Sequence, residues 1–204
     1  MKLILQSIRQ TLIWTMICGL AYPAAMTILA QLAFPRQANG SLVLREGKIA
    51  GSALLAQQFT GSNYFWPRPS ACAYGTGPAG LVPSGASNLG PTSGQLQTNV
   101  NNNTAAFRGG NNLPANTPVP ADMVFASASG LDPHISPEAA RLQIARVAAA
   151  RGLSPDPVAA LVEKFTEGSQ WGFLGEPRVN VLLLNIALDE ISPKNPAPPA
   201  AAKT

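Results

Sequence analysis

From Gln10 to Pro35 the chain carries no charged side chain, and nothing else in it restricts the fold as much. As a helix at ~1.5 Å per residue this run extends about 39 Å, more than the ~30 Å hydrocarbon core of a bilayer. Trp14, Met16, Ile17, Leu20, Met26, Ile28 and Leu29 fall all round such a helix, so no polar face remains for water. A secretory signal has a shorter apolar stretch, ~7–15 residues, and ends at a small-residue cleavage site. Ala30-Gln31-Leu32-Ala33 matches that site poorly. Residues 10–35 are therefore read as one uncleaved transmembrane helix. Lys2 and Arg9 precede it, and no acidic residue occurs before Glu46. A basic start favours a cytoplasmic N-terminus over residues 1–9, which puts the remaining chain outside the cytoplasm. Pro23 removes a backbone donor, a break that membrane helices tolerate where a neighbouring helix or a kink accommodates it. Tyr22 and Pro23 are thus candidate contacts with a partner helix.

Residues 36–190 suffice for one domain. The chain has 14 Lys+Arg; with Lys2 and Arg9 set before the run, 12 remain against 10 Asp+Glu. No basic patch with interleaved aromatics occurs, which sets nucleic acid aside. His134 is the one histidine, and Cys18 and Cys72 are the two cysteines. That is too few ligands for a zinc or iron cluster. With Cys18 in the membrane segment, a disulfide framework is excluded as well.

Residues 40–51 read as two short strands around a Glu46-Gly47 turn, and 52–59 as strand or short helix. From 61 to 120 Gly, Pro and Asn dominate, so this is taken as a long loop region, solvated over 93–117. The aromatics of Tyr64-Phe65-Trp66-Pro67-Arg68 stand out within it, because such a cluster rarely stays exposed without a use. Met123–Ser127 reads as a strand. Ser136-Pro137-Glu138 supplies an N-cap, an N1 proline and a first-turn acid, and Arg151-Gly152 a C-terminus. Ser154-Pro155 opens a second helix whose apolar face is Val158, Leu161, Val162 and Phe165, ending near Gly168. A third, almost wholly apolar helix covers Val179–Glu190 and belongs in the core. Residues 191–204 form a Pro/Ala tail unable to bury surface. The expected architecture is a single N-terminal transmembrane helix plus one α+β extracytoplasmic domain.

Phosphate-cradling G-x-x-x-x-G-K-[ST] and G-x-G-x-x-G loops are absent, as is a G-x-S-x-G nucleophile elbow. No catalytic or metal-ligating set emerges. Asp132, His134 and a nearby serine, Ser129 or Ser136, leave an anchored extracytoplasmic hydrolase as the alternative. Triad partners normally come from separate elements, however, and Asp132 and His134 more economically shape the loop before a helix.

Several blocks, in order, resemble one family over the chain from the anchor to about Glu190. They include Phe34-Pro35-Arg36-Gln37-Ala38-Asn39-Gly40-Ser41-Leu42, Gly51-Ser52-Ala53-Leu54-Leu55, Tyr64-Phe65-Trp66-Pro67-Arg68-Pro69-Ser70, Ser84-Gly85-Ala86-Ser87-Asn88-Leu89-Gly90, Gly130-Leu131-Asp132-Pro133-His134 and Gly175-Glu176-Pro177-Arg178-Val179-Asn180-Val181. This series is similar to the C subunit of the Kdp-type potassium-transporting P-type ATPase. The resemblance implies a single-pass subunit of the cell inner membrane. Its implied partners are a channel-like potassium-translocating subunit, a P-type ATPase subunit and a small single-helix subunit. It also implies a role in assembly and as a catalytic chaperone raising the ATPase subunit's affinity for ATP. Potassium is carried by the complex, and the chain lacks the Asp-Lys-Thr-Gly phosphorylation motif of the hydrolysing subunit. The family likeness implies nucleotide contact at Ser84, Gly85, Ser87 and Asn88. Ala86 stands where the family has glycine, and its methyl group restricts φ > 0. With these residues outside and the pump's ATP inside, direct ATP contact and the topology exclude one another. Tyr64, Phe65, Trp66, Arg68 and Gly90 are candidate partner contacts.

Overall fold

The computed structural model describes residues 1–45, 47–72 and 83–191, and its contacts divide the chain into two units, Met1–Ser52 and Ala53–Thr204. Residues 192–204 of the expected Pro/Ala tail therefore lie outside the described residues, while Ile191 ends the last helix. In the first unit, α1 (Lys2–Met16), a π-helical turn (Ile17–Ala21) and α2 (Tyr22–Ala33) form one apolar helix of 32 residues. It begins eight positions before Gln10 and takes Lys2 and Arg9 into its first turns. None of its residues is buried. Pro23 cannot donate to the carbonyl four residues back and its ring crowds that carbonyl. The wide π turn sits directly before it, as such bulges do where the regular ladder is interrupted.

At Phe34 the backbone leaves helical space (φ −138°, ψ 56°), and a single turn, α3 (Pro35–Ala38), follows. The Asn39 amide donates to Gln31 Oε1 at 3.0 Å across this break. Strands β1 (Leu42–Arg45) and β2 (Lys48–Ser52) then pair antiparallel with an irregularity between Val43 and Leu44. The expected hairpin is present, but it groups with the helix and not with the domain that follows.

In the second unit, residues 53–59 are a turn and irregular chain, neither strand nor helix. The expected solvated loop over 93–117 is a helix along most of its length, α4 (Gly94–Gly110). Ser93 Oγ caps it by accepting the Leu96 N–H. Gln95 and Gln97 donate to Asn99 and Asn101, one turn on, at 2.8 and 3.1 Å, and Phe107 is buried. Local amide pairs and one apolar anchor thus outweigh the poor helix propensity of Asn and Gly. Met123–Ser127 is no strand either: a 3-10 turn (Ala121–Met123) occupies its start, held by the Pro120 carbonyl accepting Met123 N–H at 3.0 Å.

The remaining elements are β3 (His134–Ile135), α5 (Pro137–Arg151), α6 (Pro155–Lys164), β4 (Thr166–Glu167), β5 (Arg178–Asn180) and α7 (Val181–Ile191). Ser136 caps α5 at Ala139 N (3.1 Å), and Asp122 holds the cap by accepting both Ser136 N–H (2.6 Å) and Oγ–H (3.1 Å). Gly152 ends the helix at φ +66°, the left-handed C′ position that favours glycine. Helix α6 stops at Lys164, short of Gly168, because Thr166–Glu167 pair with β5. The last helix likewise begins at Val181, since Arg178–Asn180 form the central strand of the antiparallel order β3-β5-β4. Asn180 makes that strand-to-helix step without a loop: its Oδ1 accepts Leu183 N–H (3.1 Å) and its Nδ2 donates to the Ala53 carbonyl (2.8 Å). Val147, Val158, Val162, Val179, Leu184 and Leu188 are fully buried where α5, α6, α7 and β5 meet. The architecture is one long apolar helix followed by a mixed helix-and-strand domain.

Candidate functional site

The aromatic segment 64–66 lies outside the helices and strands; polar side chains of two helices hold it. Asn185 of α7 accepts the Phe65 N–H (2.8 Å) and donates to the Phe65 carbonyl (3.0 Å). Gln143 of α5 accepts the Trp66 N–H (2.8 Å). Arg146 donates to the Ser62 and Tyr64 carbonyls and to Asn111 Oδ1, and its guanidinium lies 3.8 Å from the Trp66 ring centre. Burial lowers the pKa of Arg146 to about 10, so it remains charged at neutral pH. Arg151 donates to the Asn63 carbonyl (2.7 Å) and pairs with Asp189 at 2.8 Å, both side chains almost wholly buried. Tyr64 donates its hydroxyl to Asp189 (3.2 Å); burial first, and that carboxylate second, raise its pKa.

These bonds decide what the segment is for. Phe65 is fully buried and belongs to the core, so its assignment as a partner contact is corrected: an aromatic run in a loop-rich sequence need not be surface. Tyr64 and Trp66 are half-buried with their polar atoms engaged inside the domain, the indole N–H donating to the Gly61 carbonyl at 2.9 Å. Gln143, Arg146, Arg151, Asn185 and Asp189, which do the holding, carried one signal in the sequence. Asn185 and Asp189 are polar residues on a helix that the pattern already placed in the core, and Gln143, Arg146 and Arg151 lie on the helix that Ser136-Pro137 and Gly152 delimit.

Arg68 donates to Asp132 Oδ2 at 2.6 Å. Asp132 Oδ1 accepts the His134 backbone N–H (3.0 Å), and His134 Nδ1 lies 3.5 Å from the same oxygen. Burial pushes the Asp132 pKa up, but the His134 and Arg68 bonds outweigh it and hold it at about 2. This cluster stands between two open grooves of about 510 and 520 Å³. One is lined on its far side by Glu176 and Arg178, the other by Leu54, Leu55 and Ser129. Asp132 and His134 therefore fix the turn entering β3, as their spacing suggested. The hydrolase alternative is not supported. Ser129 Oγ accepts Leu131 N–H and pairs with Ser127 Oγ, and Ser136 Oγ serves the α5 cap.

Ser84 Oγ (2.8 Å) and Gly85 N–H (3.0 Å) both donate to the Ser129 carbonyl. Gly130, at φ +70°, is where three segments cross: a Cβ there would lie 2.9 Å from the Gly85 carbonyl, 3.0 Å from Ser70 Oγ and 3.2 Å from Cys72 Cβ. Ala86 has an ordinary backbone; the left-handed residue of this loop is Asn88 (φ +51°), a residue type that tolerates it. Ser87, Asn88 and Gly90 are exposed. Two donors that a phosphate would require are thus already bound to Ser129, and the residues present do not fit a phosphate cradle. Tyr22 and Pro23 lie exposed on the apolar helix, just beyond the π turn.

One long apolar helix followed by a mixed helix-and-strand domain, whose described polar clusters are bonded within the domain, is consistent with an accessory subunit of a membrane complex. The chain matches the sequence profile of the family described as "KdpC: K+-transporting ATPase, c chain" over residues 4–190, and it belongs to that family. It is 55% identical over 181 residues to the potassium-transporting ATPase KdpC subunit of Methylococcus capsulatus, covering 88% of this chain and 93% of that one. The Geobacter metallireducens KdpC subunit is 50% identical over 189 residues (92% and 97%), and that of Rhodospirillum rubrum 57% over 180 (88% and 91%). The chain is thus a subunit of a potassium-transporting ATPase, and its partners are other Kdp subunits.

Proposed function

We propose that this subunit is a non-catalytic accessory component of a high-affinity, ATP-driven potassium uptake complex. It stabilises assembly and acts as a catalytic chaperone for the ATPase subunit, beside the channel-like translocating subunit and the small single-helix subunit. The helix Lys2–Ala33 crosses the inner membrane with its N-terminus in the cytoplasm, and the domain from Ala53 lies outside. The family match over residues 4–190, joined to a 32-residue apolar helix with no buried residue, carries this reading. A helix without charge from Gln10 onward offers no ion pathway by itself, but its Tyr22-Pro23 turn offers a packing surface to a helix of the complex. The chaperone effect does not need ATP on the Ser84–Asn88 loop, since Ser84 and Gly85 spend their donors on Ser129.

Purifying the complex with and without this chain tests the role. Loss of subunit stoichiometry and of potassium-stimulated ATPase activity is expected; an intact, fully active complex lacking the chain would refute it. Topology is read separately from Gly90→Cys in a Cys18→Ala, Cys72→Ala background, because Gly90 is exposed with no neighbouring atom near its Cβ position. Labelling by a membrane-impermeant thiol reagent in intact cells is expected; labelling only after permeabilisation would reverse the orientation.

A further inference from the structure

Between β4 and β5 the chain turns through Gln170-Trp171-Gly172-Phe173-Leu174, with Trp171 85%, Phe173 74% and Leu174 44% exposed. No charge occurs from Gly168 to Gly175. The turn is closed and not slack: Gln170 N–H donates to the Leu174 carbonyl (2.8 Å), and Leu174 N–H to the Gln170 carbonyl (2.9 Å). At its base Glu167 pairs with Arg178 across the two strands, Arg178 Nε lying 3.0 Å from Glu167 Oε2. Trp171 sits at φ +53°, a left-handed conformation that disfavours a bulky L-residue. A loop that only had to reverse the chain would put Gly or Asn there. Strain is thus accepted in a position that leaves the loop's largest apolar side chain off its own domain.

We propose that the Trp171–Leu174 tip is an interface anchor that enters an apolar pocket on the extramembrane surface of another subunit of the complex. The inference rests on the accessory-subunit reading above. Rigidity favours a protein over a lipid partner: a bilayer accepts a slack apolar loop equally well, whereas a shaped pocket gains from one already ordered. The composition agrees, since tryptophan is enriched among binding hot spots that polar residues surround, and Glu167, Glu176 and Arg178 flank this tip. With Glu167 paired to Arg178, Glu176 leaves a net negative charge that also opposes approach to anionic headgroups. Three side chains cover far less than the ~800 Å² per partner of a standard interface. The tip is therefore one anchor among several contacts of a tethered chain, each strengthening the others through effective concentration.

Phe173→p-benzoylphenylalanine, irradiated in the assembled complex in its membrane, is expected to form an adduct with another subunit, identified by mass. Adducts with lipid alone, within the chain alone, or none at all overturn the proposal. The double variant Trp171→Ser, Phe173→Ser is expected to lower recovery of this chain with the complex about tenfold or more, the effect of losing an interface anchor. Its circular dichroism should match that of the parent chain. Recovery at the parental level overturns the proposal too, and if the double variant loses its dichroism the photo-adduct alone decides. A parent chain that fails to co-purify at all sinks the accessory-subunit reading instead, so the two failures are told apart.

Discussion

Two short aromatic segments of the domain, Tyr64-Phe65-Trp66 and Trp171-Gly172-Phe173, have opposite fates. The first is drawn inside: Phe65 is 0% exposed, while Trp171 in the second is 85% exposed. Hydrophobicity does not separate them. What separates them is where their backbone hydrogen bonds go. Both Phe65 backbone groups, the Trp66 N–H and the Tyr64 carbonyl are taken by Asn185, Gln143 and Arg146, side chains of α5 and α7. The 170–174 turn closes through Gln170 and Leu174, and its backbone bonds reach no further than Ser169, so no distant partner draws its aromatics inward. Buried backbone must be hydrogen-bonded; an aromatic run with distant polar partners can therefore enter a core, while a self-closed turn remains a projection.

The sharpest attack on this contrast is Phe65→Ala. Truncating a fully buried phenylalanine should cost about 3–5 kcal/mol, read by denaturant unfolding of the full chain in detergent. A cost below about 1 kcal/mol would mean that the segment is not core. Asn185→Ala comes next: it strips both Phe65 backbone groups of their partner, at about 1–3 kcal/mol for each buried group left unpaired. Asn185→Asp, which keeps only the acceptor, should restore part of the loss.

A smaller effect belongs to the Arg68–Asp132–His134 cluster beside the grooves. The folded Asp132 pKa of about 2 lies below its ordinary 3.8. Its contribution to stability is thus fully present above about pH 3.8 and lost as pH falls through about 2. Asp132→Asn should flatten the acid limb of the stability profile in that window and leave the neutral limb's slope unchanged. An unchanged acid limb would show that the carboxylate is not held as described. The smallest stability effect should come from the tip: Trp171→Ser is expected within about 0.5 kcal/mol of the parent, as for surface positions generally. A marked loss would make the tip a structural element and not a projection.

Much of this was legible in the sequence where one physical rule acted alone. A charge-free run marked the long helix, Ser136-Pro137 and Gly152 marked both ends of α5, and Gly47 marked the turn of the hairpin. Legibility failed where distant residues decided the outcome. Helix α4 was hidden because Asn101, Asn102 and Asn103 argue for loop, while its support comes from amide pairs, Phe107 in the core and Asn103 donating to the Val124 carbonyl. The burial of Phe65 was hidden because Asn185 and Arg146 lie 120 and 82 or more residues away along the chain. The exposed tip went unremarked because Trp171 and Phe173, with only glycine between them, look like half of a buried strand; only the left-handed backbone at Trp171 exposes them.

The most direct measurement compares the two tryptophans themselves. Full chains that keep only Trp66 or only Trp171, with Trp14 and the other replaced by Phe, are quenched with iodide alone and within the assembled complex. Trp171 should be quenched freely in the isolated chain and become protected on assembly, while Trp66 stays weakly quenched in both. Trp171 equally accessible in the complex, or Trp66 as the residue whose accessibility changes, would contradict the division between an inward segment and an outward anchor.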